Sequence, residues 1–549
     1  MKNVMLCCLL ALLGASLPAQ ESTVQTRLYA ELVGEYEFYM NQQYLVISVF
    51  LDQGKLCERA AGESGAFEIQ PINLDSLKFR IVNPGKEQYA VFVRNQDDKI
   101  SGFRMTINTT EYVGKRLPSG GRVPRPVEQP LAVEDLQSDL TQIRRALEGE
   151  HPAVYGFTNE ENFERLYEKQ YEQIDGPKTL GEFCTIAAPL VVAVGCGHTT
   201  LSASNEFWTT APPRFFPLGL VFFGDRAFVG RGADTVGNLR PGSEILSVNG
   251  RSIAEILKEI KALVSSDGSN NSWKTWVINR VFSKRYAFRY GFPEEFVIEI
   301  LLPDRQKSET IRLRGVALSK IPAGPEKEMQ KTSSGDPYLD FKILPDKQST
   351  AILTIRTFGY YQETDKFKSF INDSFERIRK EGIRHLILDL RDNTGGDPFC
   401  TTHLLSYLEP KPLPYFARVY PNPYEPFAKP IPRAAGAFDG KLYVLINGGC
   451  FSSTGHFCAL LKENRIGTFI GTETGGTYEC NDASRTIQLE KTRLRLSVAR
   501  ITFTAAVRSL PRYRGIIPDI VVEPGIADEV AGRDPIMERA LSLTTRSER

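Results

Sequence analysis

From about Ser349 onward the chain alternates apolar, strand-like runs with amphipathic helical ones, and this alternation restricts the fold more than any other feature. Ala351-Ile-Leu-Thr-Ile-Arg356 reads as a strand, and His385-Leu-Ile-Leu-Asp-Leu390 and Leu442-Tyr-Val-Leu-Ile-Asn447 read as buried strands. Phe367, Phe370, Ile371, Phe375 and Ile378 mark a helix after the first, and another helix is predicted from about Thr454 to Glu463. Strands separated by helices pair through crossover connections, so a mostly parallel sheet follows. In such sheets reactive groups sit at the carboxyl ends of the strands.

Two of those strand ends carry glycines where backbone must approach something closely: Asp389-Leu-Arg-Asp-Asn-Thr-Gly-Gly396, and Asn447-Gly-Gly-Cys-Phe-Ser-Ser-Thr-Gly455, which opens a helix. A serine at a strand-to-helix junction gains from the free amides and positive dipole end of the helix, which can stabilise an oxyanion. Ser452 is therefore a candidate nucleophile. By itself it is as readily a helix cap, with Ser453 and Thr454 as competing caps. Cys450, two residues earlier, is a further possible nucleophile if it ionises.

A chain of 549 residues exceeds one ordinary core, and three or four domains are expected. Residues 1–19 place one positive charge before a short apolar run ending in small residues, the pattern of a secretory leader, and the run is too short to span a bilayer. Residues 20–118 alternate short apolar runs with turn signals and should form a β-rich accessory domain. Residues 119–205 begin with a Pro/Gly-rich linker and continue as a helical segment, in which Leu136, Leu140, Ile143 and Leu147 share one helix face. Residues 206–318 return to strand-like runs, and 319–549 hold the alternating core. Lys plus Arg exceed Asp plus Glu by one, which gives no electrostatic footing for nucleic acid or an anionic membrane surface. The seven cysteines beyond the leader lack CxxC spacing, so neither a zinc site nor a disulfide framework is implied, although one or two disulfides stay possible. No GxGxxG after a strand, P-loop or HExxH string is present, and no cofactor and no metal are expected.

Four strings occur in one order: Gly197-His198-Thr199, Asp389 to Gly396, the serine loop followed by Gly471-Thr-Glu-Thr-Gly-Gly476, and Arg514-Gly-Ile-Ile-Pro-Asp-Ile520. With them the chain resembles the tail-specific (C-terminal processing) and tricorn-core family of serine peptidases over about residues 131–525. The resemblance implies a multidomain α+β and α/β protein: a crotonase/ClpP-like α/β peptidase core, a PDZ-like insert, a helical segment and the β-rich N-terminal domain. Within the insert, Leu239-Arg-Pro-Gly-Ser-Glu-Ile-Leu-Ser-Val-Asn-Gly-Arg-Ser-Ile253 is similar to a PDZ pattern, and Leu218, Gly219 and Leu220 would then receive a peptide tail.

The resemblance marks Ser452 as the nucleophile and the amides of Ser453 and of the Gly395-Gly396 loop as the oxyanion hole. One branch of the family activates its serine with a lysine, but Thr477 stands at that position; the tricorn-like branch uses a histidine, which matches His198. Of five histidines, His198 alone lies in a glycine-flanked turn able to approach the serine. Arg512 occupies the place of the family's glutamate, so Glu473 becomes the acidic candidate behind His198, with Asp482 and Glu479 as alternatives; Cys196 stands where aspartate commonly precedes the histidine. The expected function is an exported serine endopeptidase, with a periplasmic location preferred to an extracellular one, acting on polypeptides without stable membrane insertion. The alternatives are a decayed peptide-binding protein on the same scaffold and an esterase or other acyl-transfer enzyme.

Overall fold

A computed structural model describes residues 17–40, 43–60, 66–83, 86–107, 110–117, 129–203, 207–208, 214–231, 239–304, 307–321, 335–345, 349–420 and 423–546. The charge and apolar run of the expected leader lie outside them. The chain divides into two compact units, one of residues 1–127 with 203–211, the other of residues 128–202 with 212–549.

In the first unit eight antiparallel strands between Gly34 and Arg116 close into a barrel, the first strand (Gly34–Met40) pairing with the last (Thr110–Arg116). The β-rich reading of this region holds. Alternation sends Tyr36, Phe38, Phe79, Phe92 and Phe103 inward, where edge-to-face pairs such as Phe38–Phe103 at 4.6 Å fill the interior. Closure depends on Gly114: a Cβ there would lie 2.3 Å from the Phe38 ring.

The second unit begins with helices Val133–Glu150, Glu160–Glu172 and Leu180–Val192. The predicted face Leu136, Leu140, Ile143 and Leu147 is wholly buried. The third helix opens on a capping box between Thr179 and Glu182. A sheet then runs in the order Leu220–Phe223, Arg226–Val229, Glu244–Val248, Glu295–Leu301, Ser308–Arg314, with the Asn249-Gly250 turn, both residues at positive φ, folding Arg251–Ser252 back on the third strand. Two helices pack on this sheet, Ile253–Lys261 and Asn271–Tyr290. The sequence reading named strand-like runs here and no helix. The 20-residue helix Asn271–Tyr290 is rich in aromatic and β-branched residues, whose strand preference masks its periodicity.

The alternating region folds into the expected sheet, ordered Leu339–Ile343, Thr350–Ile355, His385–Asp389, Lys441–Ile446, Thr468–Gly471, Ile520–Val521. The first pair is antiparallel and the other pairs are parallel. Helices Thr364–Lys380, Pro398–Leu408 and Ser453–Glu463 bury Phe367, Ile371, Leu404, Phe457 and Leu460 in the main core of the unit. Among the described residues no helix is long and apolar enough to cross a membrane, and all seven described cysteines are free and buried.

Candidate active site

The strand Lys441–Ile446 runs out at the centre of the sheet, and the next turn of chain places Ser452 immediately before the helix Ser453–Glu463. Ser452 takes φ 55° and ψ −128°, a conformation that a residue with a side chain adopts at a cost of about 1–3 kcal/mol. The surroundings hold it there. A Cβ on Gly395 would lie 2.8 Å from Ser452 Cβ, and one on Gly476 would lie 2.9 Å from Ser452 N, so both glycine loops close on the serine. The side chain of Ser452 caps no helical amide. The bland role as helix cap is thereby vacated, and Oγ faces a histidine instead.

That histidine is His198, whose Nε2 lies 3.1 Å from Ser452 Oγ across 254 residues of sequence. The approach is built by the short strand Thr200–Ser202, which adds to the sheet of Arg485–Gln488 and Arg495–Val498 and so ties the Gly197-His198-Thr199 turn to the core. Thr199 Oγ1 accepts from the amide of Ala499 at 3.1 Å, and Asp267 Oδ1 accepts from the amide of Gly197 at 2.8 Å. The imidazole stacks on Phe451 at 4.7 Å, Phe451 on Trp273 at 4.0 Å, and Trp273 on Trp276 at 5.0 Å, a continuous aromatic pile that fixes the ring plane.

None of the other four histidine rings is seen to contact Ser452. His403 Nε2 bonds Asn372 Oδ1, His385 stacks on Tyr443, His456 is buried beside Tyr415 and Phe416, and His151 Nδ1 accepts from the Ala153 amide. Cys450 is fully buried and its Sγ donates to the Leu390 carbonyl at 3.1 Å.

Of the acidic candidates, Glu473 accepts from the Gly515 amide at 3.0 Å and pairs with Arg514 at 3.8 Å, so it holds the Arg514-Gly515 turn rather than the imidazole. Glu479 is taken by Arg512, whose Nε donates at 2.7 Å, and by Thr504 Oγ1 at 3.0 Å. Asp482 lies 3.7 Å from His198 Nε2, on the same edge of the ring as Ser452. Asp267 was missed by sequence reading, because nothing in the string Ser265-Ser-Asp-Gly268 marks it. Burial disfavours a charged imidazole, but Asp482, Cys196 and Asp267 outweigh it and lift His198 to about 9.

Sequence reasoning named Gly395 and Gly396 together for the oxyanion hole, and the two differ. The Gly395 amide donates to Asn393 Oδ1 at 2.9 Å and is spent. The amides of Gly396 and Ser453 donate to no other described residue. Asn393 also bridges the two loops. Its Oδ1 accepts from Thr454 Oγ1 at 2.8 Å and its carbonyl from the Phe451 amide at 3.1 Å, so one side chain and one carbonyl lash the two glycine-rich strand ends together. In the other sheet, Leu218 and Leu220 are buried and the Gly219 carbonyl accepts from the Gly230 amide. Leu220–Phe223 is an edge strand, yet its Phe222 amide already donates to Asn279 Oδ1 at 2.9 Å. A cavity of about 1360 Å³ lies beside this strand, lined by Phe222, Lys274, Trp276, Asp392 and Asn447 among others, and neither Ser452 nor His198 lines it.

Residues 349–522 match the model of peptidase family S41. No curated protein matches the chain. Among solved structures, mature CPAF aligns at 14% identity over 75% of this chain and 96% of its own, with a TM-score of 0.52. Mature CPAF complexed with lactacystin aligns at 13% identity over 75% and 98%, with a TM-score of 0.51, and these likenesses concern the fold. The family match spans the parallel strands and the serine loop, so the region of residues 349–522 is similar to the serine-type peptidases of family S41.

Proposed function

We propose that the chain is an exported endopeptidase of the histidine-using, tricorn-like kind, with a crotonase/ClpP-like core, that cuts polypeptides through an acyl-enzyme on Ser452. The observation that carries this reading is the 3.1 Å approach of His198 Nε2 to Ser452 Oγ, at a serine whose backbone strain serves no capping role. Neutral His198 with its lone pair on Nε2 takes the hydroxyl proton as Oγ attacks the scissile carbonyl. The resulting imidazolium is stabilised by Asp482 at 3.7 Å and later returns the proton to the leaving amine. The amides of Ser453 and Gly396 receive the tetrahedral oxyanion, with the positive end of helix Ser453–Glu463 behind them. Export rests on the leader-like residues 1–19, and a periplasmic location is the compartment we assign.

The sheet containing Leu218, Gly219 and Leu220 would act as the PDZ-like module. A peptide adding along the Leu220–Phe223 edge would have to displace Asn279 from the Phe222 amide, so tail binding there is a gated event. The decisive experiment reacts the purified protein with a fluorophosphonate probe. Wild type should label, Ser452→Ala should not, and His198→Ala should label at least about 100-fold more slowly. A folded wild type that fails to label removes the enzymatic reading, and ester turnover without cleavage of a peptide library would replace the peptidase by an esterase.

A further inference from the structure

Behind His198, on the side away from Ser452, lies a pocket of polar atoms that the peptidase chemistry does not use. A ring nitrogen of His198, Cys196 Sγ and a carboxylate oxygen of Asp267 lie within 4.8 Å of one another. Asp267 Oδ2 is buried there with no hydrogen-bond partner, and the imidazoles of His198 and His151 meet only the Cys196 thiol on this side. His151 presses on the same thiol: against burial, which favours the neutral form, His151 and His198 draw Cys196 down to about 5. Asp267 is 3% exposed, His151 5% and Cys196 not at all. An orphaned buried polar atom costs about 1–3 kcal/mol, so Asp267 Oδ2, set beside a thiol that two imidazoles already flank, calls for a partner shared with them.

We propose that Cys196, His198 Nδ1 and Asp267, with His151 Nε2 as fourth ligand, form a zinc site that switches the peptidase off by fixing the wrong tautomer of the catalytic imidazole. A thiolate, imidazoles and one carboxylate are the donors of tetrahedral zinc, not of magnesium or calcium. Zn–S of about 2.3 Å and Zn–N or Zn–O of about 2.0–2.1 Å put neighbouring ligand atoms roughly 3.3–3.7 Å apart, a contraction of about an ångström from the widest separation found here. Cys196 is already drawn toward the thiolate, so binding releases the Nδ1 hydrogen of the His198 imidazolium to solvent. With zinc on Nδ1 a neutral imidazole must carry its hydrogen on Nε2, where it faces Ser452 Oγ and Asp482 as a donor and cannot take the serine proton. Removal of the metal returns the hydrogen to Nδ1 and the lone pair to Nε2.

The inhibition rests on the proposed Ser452–His198 chemistry, whereas the metal site does not, and the test separates them. Cobalt(II) added to the full-length protein should give a thiolate-to-cobalt absorption band at one equivalent, displaced by zinc. The band should vanish in Cys196→Ser, and zinc affinity should fall at least about tenfold in Asp267→Asn and in His151→Gln. Fluorophosphonate labelling of wild type should be suppressed by zinc and restored by a chelator, with zinc losing that effect in Asp267→Asn. A band unchanged in Cys196→Ser, or no band in a protein with native circular dichroism, overturns the site. A band at Cys196 with labelling indifferent to zinc overturns the switch. A wild type that never labels defeats the peptidase reading and leaves the cobalt spectrum to judge the site alone.

Discussion

Asp389 and Asp267 are both carboxylates sunk in the second unit, 1% and 3% exposed, and they are furnished in opposite ways. Asp389 ends a central strand and accepts from Arg391 Nε and Nη2 and from Arg356 Nη2, each at 2.8 Å, while Arg391 also reaches Asp534 at 2.7 Å. Burial opposes its charge, but the two guanidiniums hold its carboxyl far below the usual range. Asp267 has one backbone amide on one oxygen and nothing on the other. Burial and the neighbouring Cys196 and Asp482 push it up to about 7. A saturated buried carboxylate is scaffold, because both charges already have their partners; a half-satisfied one is held in reserve for protons or metal.

The largest expected effect tests the scaffold half of that contrast. Asp389→Ala strands Arg391 and Arg356 in a low-dielectric interior and should cost roughly 3–5 kcal/mol in chemical denaturation, with activity lost through unfolding. A loss below about 1 kcal/mol would erase the distinction. The pH dependence should follow with opposite signs. The folded pKa of Asp389 lies below its unfolded value of about 3.9, so its stabilisation is present above that pH and is lost as pH falls through it. The folded pKa of Asp267 is raised to about 7, so its favourable contribution is complete below about pH 3.9 and disappears as pH rises toward 7. Asp267→Asn should therefore flatten stability between about pH 4 and 7, by up to about 4 kcal/mol, in melts taken across that window. His198 and Cys196 are shifted in the same cluster, and an unaltered slope would show that they, rather than Asp267, set it.

A smaller effect is kinetic. Asp482 favours the imidazolium, so Asp482→Asn should lower the His198 pKa and move the acidic limb of the labelling profile, where neutral His198 appears, to lower pH. With Asp482 41% exposed, a shift of about one unit is expected. Retention of the limb near its wild-type position would assign the raised value to Asp267 and Cys196 instead.

These contrasts were unevenly legible in the sequence. The parallel sheet was readable because His385–Asp389 and Lys441–Ile446 are short, apolar and closed by glycines, all local signals. The strings named Ser452 and His198 as a candidate pair, and the structure brings the two within 3.1 Å of each other. Asp267 was not readable, since a lone aspartate between serines and a glycine looks like any turn, and its meaning comes from a contact with Gly197 seventy residues away. Trp273 and Trp276 were hidden for another reason: they ride on a helix whose composition favours strand, and their stacking on Phe451 is purely tertiary.

The smallest expected effect separates a carboxylate named by position from those placed by geometry. Glu473 lies in the Gly471–Gly476 string and is the acid that sequence reasoning prefers, yet its oxygens serve the Gly515 amide and Arg514, the latter 60% exposed. An exposed pair of this kind is worth about 0–1 kcal/mol, and a glutamine keeps an oxygen for the Gly515 amide. Glu473→Gln should therefore leave the rate and pH profile of fluorophosphonate labelling within about twofold of wild type, with less than about 1 kcal/mol lost in denaturation. A fall of more than about tenfold in the labelling rate with stability intact would return Glu473 to the catalytic relay, and the half-satisfied Asp267 would lose its claim to be the carboxylate that matters behind His198.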